Sequence, residues 1–512
     1  MGEKEMTVAI IGAGASGTVL ASQLVEKLSQ ISREKFRICL IERSGHFGPG
    51  LAYSTPLKSH ILNMRASTMS AKKGQPDDFS QWIKREEARL VSKYPWFSPS
   101  LAEYPPRIVY GEYLTDLFQV TLEKAGRNGV EFEPVTGQVV DFIKKDGGLD
   151  LVLADGSTLA AHVMVLTLGN FPPSLFQEFR GVEGYFHYPW PASRIMENVP
   201  PDQPVAILGS GLSAIDTLFT LLENGHSEKI LFLSRRGLLP KVQGKPSVHR
   251  LEFMQQNHID NLISEEGSMS LSLDQVVQLL RREIDASERE SIEWLSIFNP
   301  IGSVDRILEE DIDKAEKGPL TYQAVLNATE TVIGQLWNAL SIEDQRRFDR
   351  DIKSFWTVYR HPMPLVNARK ILEVLKSGQL QVLSGCMCIR SCGERSGFEI
   401  DIETRLGVPF TMKTPYIINA TGQGHDVARY EDALIQALLS KGIIQPHSSG
   451  GIRADFHTSQ IYDLKGNLQS SIYALGEITR GVHFYTNGVS PNMHAADRIT
   501  DSIINKEVLG AP

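Results

Sequence analysis

A glycine-rich turn occurs twice in this sequence, each time between a short apolar segment and a segment with a helical pattern. Residues 7–11 (TVAII) run into GAGASG at 12–17, and residues 205–208 (VAIL) run into GSGLSA at 209–214. Wholly apolar, β-branched segments of this length are typical of parallel strands that are buried on both faces. Both repeats therefore predict a strand, a tight turn and a helix, and they favour an α/β architecture.

The glycines of the first turn have the spacing that a dinucleotide pyrophosphate requires. We expect Gly12 to form the tight turn, Gly14 to admit the pyrophosphate to the backbone, and Gly17 to let the helix pack closely on the strand. The next apolar segment, residues 36–42, ends in Glu42, whose carboxylate can accept both ribose hydroxyls of an adenosine. The alternative is a glycine-rich turn that binds no ligand. The binding residues predicted here are Gly12, Ala13, Gly14, Ala15, Ser16, Gly17, Glu42 and Arg43.

The second turn differs from the first in its third small residue and in the charge that follows the next strand. Ala214 replaces the third glycine, which still permits close packing. The apolar segment at 229–233 is followed by Ser234, Arg235 and Arg236, and two guanidinium groups can bind a 2′-phosphate in bidentate fashion. The two arginines therefore predict that this turn binds NADPH. The alternative is that they are solvated residues at the end of a loop. The binding residues predicted here are Gly209, Ser210, Gly211, Leu212, Ser213, Arg235, Arg236 and Gly422.

Composition excludes several classes of protein. Of the 512 residues, 42% are apolar and 22% are charged, which is ordinary for a globular chain of roughly three to four domains. The 52 Lys and Arg against 61 Asp and Glu give a formal charge of −9, so no nucleic-acid partner is expected. Cys386, Cys388 and Cys392 have neither a zinc spacing nor a C-x-x-C pair. We expect them to be small apolar residues on strands and expect no metal site.

The beginning of the sequence carries no targeting pattern. It lacks the basic segment and the cleavage site of a signal peptide. Residues 8–25 are uncharged over the length of a membrane span, but three glycines interrupt them and the turn pattern explains them better. We therefore expect a cytoplasmic protein without a membrane partner.

Three later apolar segments, at 163–170, 416–424 and 472–477, each close on small residues. With the two turns, they make the chain resemble flavoproteins with two dinucleotide-binding domains, which include the disulfide reductases and the flavin monooxygenases. The resemblance implies FAD on the first turn and a nicotinamide nucleotide on the second. It also implies that Glu477, where Asp is usual, holds the ribityl chain of FAD. Residues 488–490 open a helix whose N-terminus can face the flavin pyrimidine ring.

The resemblance extends to the segments 48–70, 104–114, 233–240 and 356–364. These are similar to a bacterial FAD/NAD(P)-binding family whose relatives include flavin-dependent N-hydroxylases of amino acids, among them enzymes that oxidise the aspartate amine to nitrosuccinate. The further FAD contacts that it implies are Asn63, Met64, Val139, Leu168, Gly169, Gly476, Glu477, Gly488 and Val489. The candidate catalytic residues are Asn63, Arg65, Arg107 and His361, with Tyr110 beside them. For each one, a satisfied interior polar group is the alternative.

Elimination narrows the reaction. The sequence has no paired cysteines for a disulfide reductase, and an amine oxidase needs no NADPH site. What remains is hydride transfer from NADPH to FAD, followed by oxygen or another acceptor, and we expect a monooxygenase in which O2 is activated as a flavin hydroperoxide. The family resemblance implies that the reaction is N-hydroxylation of an amino acid or other small amine. The alternatives are an NADPH-dependent reductase or oxidase and a non-catalytic FAD-binding redox sensor. A segment at 179–191, which contains His187, imperfectly resembles the linker of class B flavin monooxygenases.

The predicted organisation is two Rossmann-like domains with an α-helical insertion. FAD would bind to residues 1–200 and 401–512, and NADPH to 201–244 and 356–400. Residues 245–355 have helical periods and dense charge, and Ser341 to Asp344 reads as the capped start of a helix. This insertion either caps the cleft or packs in a homo-oligomer.

Overall fold

The structure is a computed structural model that describes residues 6–31, 36–265, 271–287, 294–298, 301–393, 397–404 and 409–509. It divides into two units, the first formed by Met1–Phe171 and Gly424–Pro512 and the second by Pro172–Gln423. In chain order the strands are β1 Met6–Ile11, β2 Phe36–Glu42, β3 Glu131–Thr136, β4 Val139–Lys145, β5 Gly148–Leu153, β6 Thr158–Ala161, β7 Val163–Leu166, β8 Tyr185–Phe186, β9 Val205–Leu208, β10 Ile230–Ser234, β11 Leu380–Ser391, β12 Phe398–Thr404, β13 Pro409–Thr414, β14 Tyr416–Asn419, β15 Gln460–Tyr462 and β16 Leu468–Ala474.

The helices connect these strands. They are α1 Ala15–Ile31, α2 Gly50–Tyr53, α3 Asp78–Arg85, α4 Glu87–Lys93, α5 Arg107–Arg127, α6 Ala192–Asn198, α7 Leu212–Glu223, α8 Gln256–Glu265, α9 Leu273–Ser287, α10 Trp294–Phe298, α11 Val304–Lys317, α12 Thr321–Ala328, α13 Ile333–Ala339, α14 Ile342–Arg347, α15 Lys353–Arg360, α16 Leu365–Lys376, α17 Ala433–Ser440, α18 Arg480–His483 and α19 Val489–Leu509. In the described part of the chain, none of them combines the length and the apolar composition that a bilayer-spanning segment needs.

The first unit is built on a six-stranded sheet in the order β15-β16-β7-β1-β2-β3. The pairs that join β16, β7, β1, β2 and β3 are parallel, which explains why every residue of β1 is buried. Helices α1, α5 and α19 contribute to the apolar cluster that contains Val8, Ile10 and Ile38. A second cluster joins the sheet to α17 and to the small antiparallel sheet β4-β5-β6. The first unit thus draws its core from both ends of the chain.

The second unit has a seven-stranded sheet in the order β13-β12-β11-β10-β9-β14-β8. The strands from β11 to β8 pair in parallel, and β12 and β13 extend the sheet as antiparallel strands. Its main core, which includes Ile207, Phe232 and Ile371, is shared with α7, α11 and α16. The predicted α/β class with two parallel-sheet, Rossmann-like halves is confirmed.

Within the region 245–355, the described residues are mostly helical from Gln256 onward, with helices α8 to α14 and the first residues of α15. Ser341 accepts a hydrogen bond from the backbone N–H of Asp344, as a helix cap does. Val332 and Leu336 are buried in a cluster of this region. Periodicity was enough to predict these features because they depend on residues close in sequence.

The unit boundaries differ from the domain boundaries that we expected at 200 and 400. Residues 172–200 lie in the second unit because β8 pairs with β14 there. Residues 401–423 also lie in it, since β12 and β13 continue the sheet from β11. Linear order along the chain does not reveal such pairing between distant strands.

Candidate dinucleotide sites

The first glycine turn has a conformation that side chains would prevent. Gly12 has φ +106°, and a Cβ added to it would lie 2.3 Å from the carbonyl oxygen of Thr167. The N–H of Gly12 donates to the carbonyl of Ile41 at 2.8 Å, which fixes the turn to β2. A Cβ on Gly17 would lie 1.9 Å from the carbonyl oxygen of Gly12. The two glycines therefore allow the tight turn and the close packing of α1 for which they were predicted.

The loop at 48–50 packs directly on this turn. The N–H of Gly48 donates to the carbonyl of Ala13 at 2.8 Å. A Cβ on Gly14 would meet the Cα of Gly50 at 3.4 Å, and a Cβ on Gly50 would meet the Cα of Gly14 at 2.9 Å. Two backbones thus approach each other without side chains between them. We identified the sequence GPG at 48–50 only through a family resemblance and did not predict this contact.

Glu42 lies at the end of β2 and reaches back to the turn. One carboxylate oxygen accepts the N–H of Ala13 at 3.0 Å, and the other accepts the N–H and the hydroxyl of Ser44 at 3.0 and 2.8 Å. Ala15 begins α1, and Arg43 is exposed. Local order in the sequence therefore led to the correct neighbourhood for this carboxylate.

The end of β16 also reaches the first turn. Gly476 has φ +89°, and a Cβ on it would lie 3.6 Å from the hydroxyl of Ser16. Leu168 and Gly169 follow β7, and a Cβ added to Gly169 would have no atom within 4 Å. Two residues separated by more than four hundred positions in the sequence thus meet at one turn.

Glu477, the residue after Gly476, is buried, with 1% of its side chain exposed. Its carboxylate accepts the hydroxyl of Thr486 at 2.6 Å and pairs with Nδ1 of His425 at 3.1 Å and with Arg480 at 3.5 Å. Burial alone would raise its pKa, but the hydrogen bonds and cations around it hold that pKa below its ordinary value. The partners of this carboxylate come from three different segments and were not predicted.

Helix α19 begins at Val489, directly after Gly488, as the sequence predicted. Gly488 has a packing reason to be glycine, because a Cβ there would lie 2.9 Å from the ring of Pro491. The helix runs beside α1, where the side chain of Gln23 donates to the carbonyl of Met493 at 3.1 Å. Val139 is buried at the start of β4, in the other apolar cluster of the unit.

The structure pairs the two segments that carry the candidate catalytic residues of the first unit. Ile61 and Pro106 form an isolated β-bridge, and the N–H of Arg107 donates to the carbonyl of His60 at 2.7 Å. The N–H of Ala66 donates to the carbonyl of Glu103 at 3.0 Å. Three of the candidates, Asn63, Arg65 and Arg107, therefore lie on two adjoining segments, and Met64 is largely exposed.

Arg65 and Tyr110 have different surroundings. The guanidinium of Arg65 donates to Glu103 at 2.8 Å and lies 5.2 Å from the ring centre of Tyr104. Tyr110 is fully buried, and its hydroxyl has no hydrogen-bond partner among the described residues. Burial raises the pKa of this phenol well above its ordinary value. It packs against Tyr53 and Phe79, with ring centres 4.7 and 4.8 Å apart.

The second glycine turn repeats the geometry of the first. Gly209 has φ +117°, its N–H donates to the carbonyl of Leu233 at 2.7 Å, and a Cβ on it would lie 2.5 Å from the carbonyl oxygen of Ala420. Gly211 precedes the first residue of α7, and neither it nor Gly422 has an atom within 4 Å of an added Cβ. Ala214 is buried. Leu212 and Ser213 form the first residues of the helix.

Hydroxyl groups organise the end of β10. The hydroxyls of Ser210 and Ser234 lie 2.9 Å apart, and Ser210 also donates to the carbonyl of Leu238 at 2.7 Å. The N–H of Gly237 donates to the hydroxyl of Ser234 at 2.9 Å. Arg235 is exposed. Ser210, which we predicted to bind the nucleotide, thus also has a structural bond to Ser234 that its sequence context does not predict.

The remaining candidates belong to the second unit. His361 follows α15 and is half-buried, and its N–H donates to the carbonyl of Thr357 at 3.1 Å. His187 follows β8. His361 is thus in a different unit from Asn63, Arg65 and Arg107.

Comparison with known proteins finds a family match in the part of the chain that contains the first turn. Residues 9–171 match a family described as FAD-NAD(P)-binding. The chain is 20% identical to nitrosuccinic acid synthase npaA of Aspergillus oryzae over 611 residues, which cover 98% of this chain and 93% of that protein.

Solved structures resemble the chain along nearly its whole length. The reduced form of ornithine hydroxylase PvdA from Pseudomonas aeruginosa is 15% identical, with a TM-score of 0.58 over 97% of this chain and 98% of that one. An ornithine N-hydroxylase from Kutzneria sp. 744 is 13% identical, with a TM-score of 0.55 over 98% and 100%. DfoA from Erwinia amylovora, a cadaverine monooxygenase bound to FAD, is 15% identical, with a TM-score of 0.53 over 98% and 95%. The chain therefore has the same fold as these solved structures, and residues 9–171 match the FAD-NAD(P)-binding family.

Proposed function

We propose that the chain is an FAD- and NADPH-dependent monooxygenase that hydroxylates the nitrogen of an amino acid or another small amine. The observation that carries this proposal is the pair of glycine turns with the same backbone geometry and opposite charges at the following strand. Glu42 lies beside one turn, and Arg235 and Arg236 follow the strand beside the other. The named activities of the proteins with the same fold, which act on ornithine, cadaverine and a precursor of nitrosuccinate, support it.

The residues of the first unit fit FAD. The turn presents backbone at Gly14 with only Gly50 near it, which leaves the close approach that a pyrophosphate needs. The carboxylate of Glu42 lies within hydrogen-bond distance of the turn, where it would accept hydrogen bonds from the ribose hydroxyls of an adenosine. The chemistry that FAD supplies when bound is redox, namely acceptance of a hydride and reaction with dioxygen.

The residues of the second unit fit NADPH in the same way. The N-terminus of α7 follows Gly211, around which an added Cβ would find open space, so backbone N–H groups are accessible to a pyrophosphate. Arg235 and Arg236 would select the 2′-phosphate. We assign NADPH to this unit and FAD to the first, including its C-terminal part with Gly476 and Val489.

The chain's own residues would bind the amine substrate and exclude water from it. Arg65 and Arg107 are cations on adjoining segments and would hold an anionic group of an amino acid. Tyr110 lies on α5 one turn from Arg107 and belongs to a buried aromatic cluster, which would keep water away from that side of the arginine. Exclusion of water favours oxygen transfer over unproductive release of peroxide. His361 stays a candidate from the sequence alone.

The experiment is NADPH consumption by the FAD-loaded protein with aspartate, ornithine, lysine and cadaverine, with peroxide and hydroxylated product measured together. We expect one amine to accelerate NADPH consumption and to give product in place of peroxide. Peroxide in proportion to NADPH with every amine would instead indicate a reductase or oxidase. A flavin that NADPH fails to bleach would indicate a redox sensor. The Gly14→Val variant, without flavin, controls for non-enzymatic oxidation.

A further inference from the structure

A cation–π pair connects the end of β10 with the helical region. The guanidinium carbon of Arg236 lies 4.2 Å from the ring centre of Phe355, in α15. Phe355 is 5% exposed, and its ring makes an edge-on contact with Phe298, with centres 4.7 Å apart. The guanidinium also donates to the backbone carbonyl of Asp351 at 3.4 Å. Arg236 is thus held against a ring that itself cannot turn freely.

The backbone from which Arg236 extends is also fixed. Ser234 accepts the N–H of Gly237 at 2.9 Å, and Ser210 bonds to both Ser234 and the carbonyl of Leu238. Gly237 has φ +65°, and a Cβ on it would lie 2.8 Å from the side chain of Ser384. Both ends of the Arg236 side chain are therefore constrained. Its neighbour Arg235 is exposed.

Stacking and phosphate binding use different parts of a guanidinium. The ring of Phe355 covers a face, whereas N–H donors point outward in the plane of the group, where they form paired bonds with phosphate oxygens. A side chain that is already ordered loses less rotamer entropy when it binds. A stacked Arg236 therefore binds a phosphate more tightly than the same residue on a mobile side chain.

The charges around this pair are compatible with an anion. The carboxylate of Asp351 is engaged by Arg350 at 3.0 and 3.1 Å, and that of Asp349 pairs with Lys353 at 3.1 Å. Both acidic groups of the segment that precedes Phe355 are thus compensated by their own cations. The carboxylate of Asp351 also interacts electrostatically with Arg236, so a phosphate would share the charge of Arg236 with this neighbour.

From these contacts we infer that Phe355 is a positioning residue for the 2′-phosphate of NADPH, acting through Arg236. The inference rests on the proposed function, because it takes the arginines after β10 as the 2′-phosphate site. It gives the helical region a role in the selection of the nucleotide. The ring never touches the ligand, so its effect is confined to nucleotides that carry the 2′-phosphate.

The test is calorimetric binding of two probes, adenosine 2′,5′-bisphosphate and adenosine 5′-monophosphate, to the FAD-loaded protein. Phe355→Leu removes the ring and keeps an apolar side chain. We expect the bisphosphate to bind roughly three- to tenfold more weakly, the range of the rotamer entropy that one mobile side chain loses on binding, and the monophosphate to bind as before. Phe355→Tyr retains the ring and should restore the affinity.

Phe253 provides a matched control, because its ring stacks on Arg282 at 4.1 Å elsewhere in the helical region. Phe253→Leu should leave the binding of both probes unchanged. If Phe355→Leu weakened both probes equally, or neither, the inference would be overturned. If Phe355→Leu does not fold, Arg236→Lys, which keeps the charge but not the flat stacking group, must weaken the bisphosphate alone, and unchanged binding would again overturn the inference.

The failure of the proposed function gives a different result. If Arg235→Ala with Arg236→Ala leaves the preference for the bisphosphate intact, the 2′-phosphate site itself is not at β10. If that double variant loses the preference and Phe355→Leu keeps it, the site stands and only the role of Phe355 is refuted.

Discussion

The two glycine turns reach the same backbone conformation with different side chains. Gly12 and Gly209 have φ +106° and +117°, and both donate to the strand that follows, at 2.8 and 2.7 Å. In each case a carbonyl of a third strand segment, from Thr167 or Ala420, lies where a Cβ would be. The conformation therefore requires glycine, because the same kind of backbone neighbour excludes a side chain in both turns.

The turns differ at the end of the strand that follows them, where we expect the nucleotide to be selected. In the first, the carboxylate of Glu42 accepts the N–H of Ala13, whereas in the second the hydroxyl of Ser234 bonds to Ser210 and two arginines follow. The third small residue also differs, since α1 packs too closely for any residue but Gly17, while α7 accommodates Ala214. The comparison teaches that glycines determine the turn, and we predict that the end of the next strand determines the nucleotide.

The largest effect should come from filling the middle glycine of each turn. Gly14→Val places a branched side chain where the FAD pyrophosphate approaches, so the purified protein should be colourless. Gly211→Val should leave the protein yellow and abolish NADPH binding. Flavin absorbance and nucleotide titration measure both. A yellow Gly14→Val protein with normal flavin content would break the assignment of FAD to the first turn.

Substitution of the third small residue should lower the free energy of unfolding by different amounts in the two turns. Gly17→Ala puts a Cβ 1.9 Å from a backbone oxygen, so α1 must move, and we expect a loss of at least about 3 kcal/mol. The reciprocal change, Ala214→Gly, removes one methyl and adds backbone freedom, at a cost of about 1 kcal/mol. Urea unfolding of both variants tests the contrast. Equal losses would show that the two helices pack alike.

The arginines after β10 should sharpen the difference in ligand. Each charge-assisted bond to a 2′-phosphate contributes roughly 1.5–3 kcal/mol, so Arg235→Ala with Arg236→Ala should raise the KM for NADPH about a hundredfold or more. The KM for NADH should stay within a few-fold, and the flavin spectrum should not change. Steady-state kinetics with both nucleotides decide this. An equal rise of the KM for NADPH and for NADH would indicate misfolding. An unchanged KM for NADPH would show that the arginines lie in a solvated loop.

Acid should cause a smaller effect, a loss of stability that arises from a buried histidine of the first unit. Burial, together with Arg498, lowers the pKa of His483 to about 3, from its ordinary value of 6.5. The unfolded chain therefore binds this proton first, and stability is lost as pH falls from 6.5 toward 3. Between about pH 7 and 5 this amounts to about 2 kcal/mol.

His483→Asn removes the titrating group. The melting temperature of the variant should therefore fall less steeply between pH 7 and 5 than that of the wild type, whatever its starting value. His226, in the second unit, has a pKa lowered by burial as well, so His226→Asn is the matched variant. Parallel pH profiles for His483→Asn and the wild type would contradict the assignment.

Features set by neighbours in sequence were predictable. The strands before each turn, the start of α19 at Val489 and the cap at Ser341 depend on residues a few positions apart, so their patterns were sufficient. The start of α1 at Ala15 lies inside the turn, before the apolar periodicity begins.

Contacts between distant segments were not predictable. The partners of Glu477 come from His425 and Thr486 as well as from its own turn, and the ring that holds Arg236 comes from α15. The pairing of residues 60–66 with 103–107 joins two segments that the sequence showed only as separate matches to a family. Such contacts depend on topology, which periodicity does not encode. The roles of Asn63, Arg107 and His361 stay predictions.

Because the first unit is built from both ends of the chain, it cannot complete its sheet until synthesis is nearly finished. Strand β7 pairs with β16, which is synthesised roughly 300 residues later, a delay on the order of 15 to 60 s at roughly 5–20 residues per second. The second unit is continuous from Pro172 to Gln423 and emerges within that interval. Until β16 and α19 arrive, β7 presents an unpaired edge, which is the kind of surface that aggregates or recruits chaperones. The nascent chain is therefore most prone to aggregation after its N-terminal strands are synthesised and before the C-terminal strand and helix that complete their sheet.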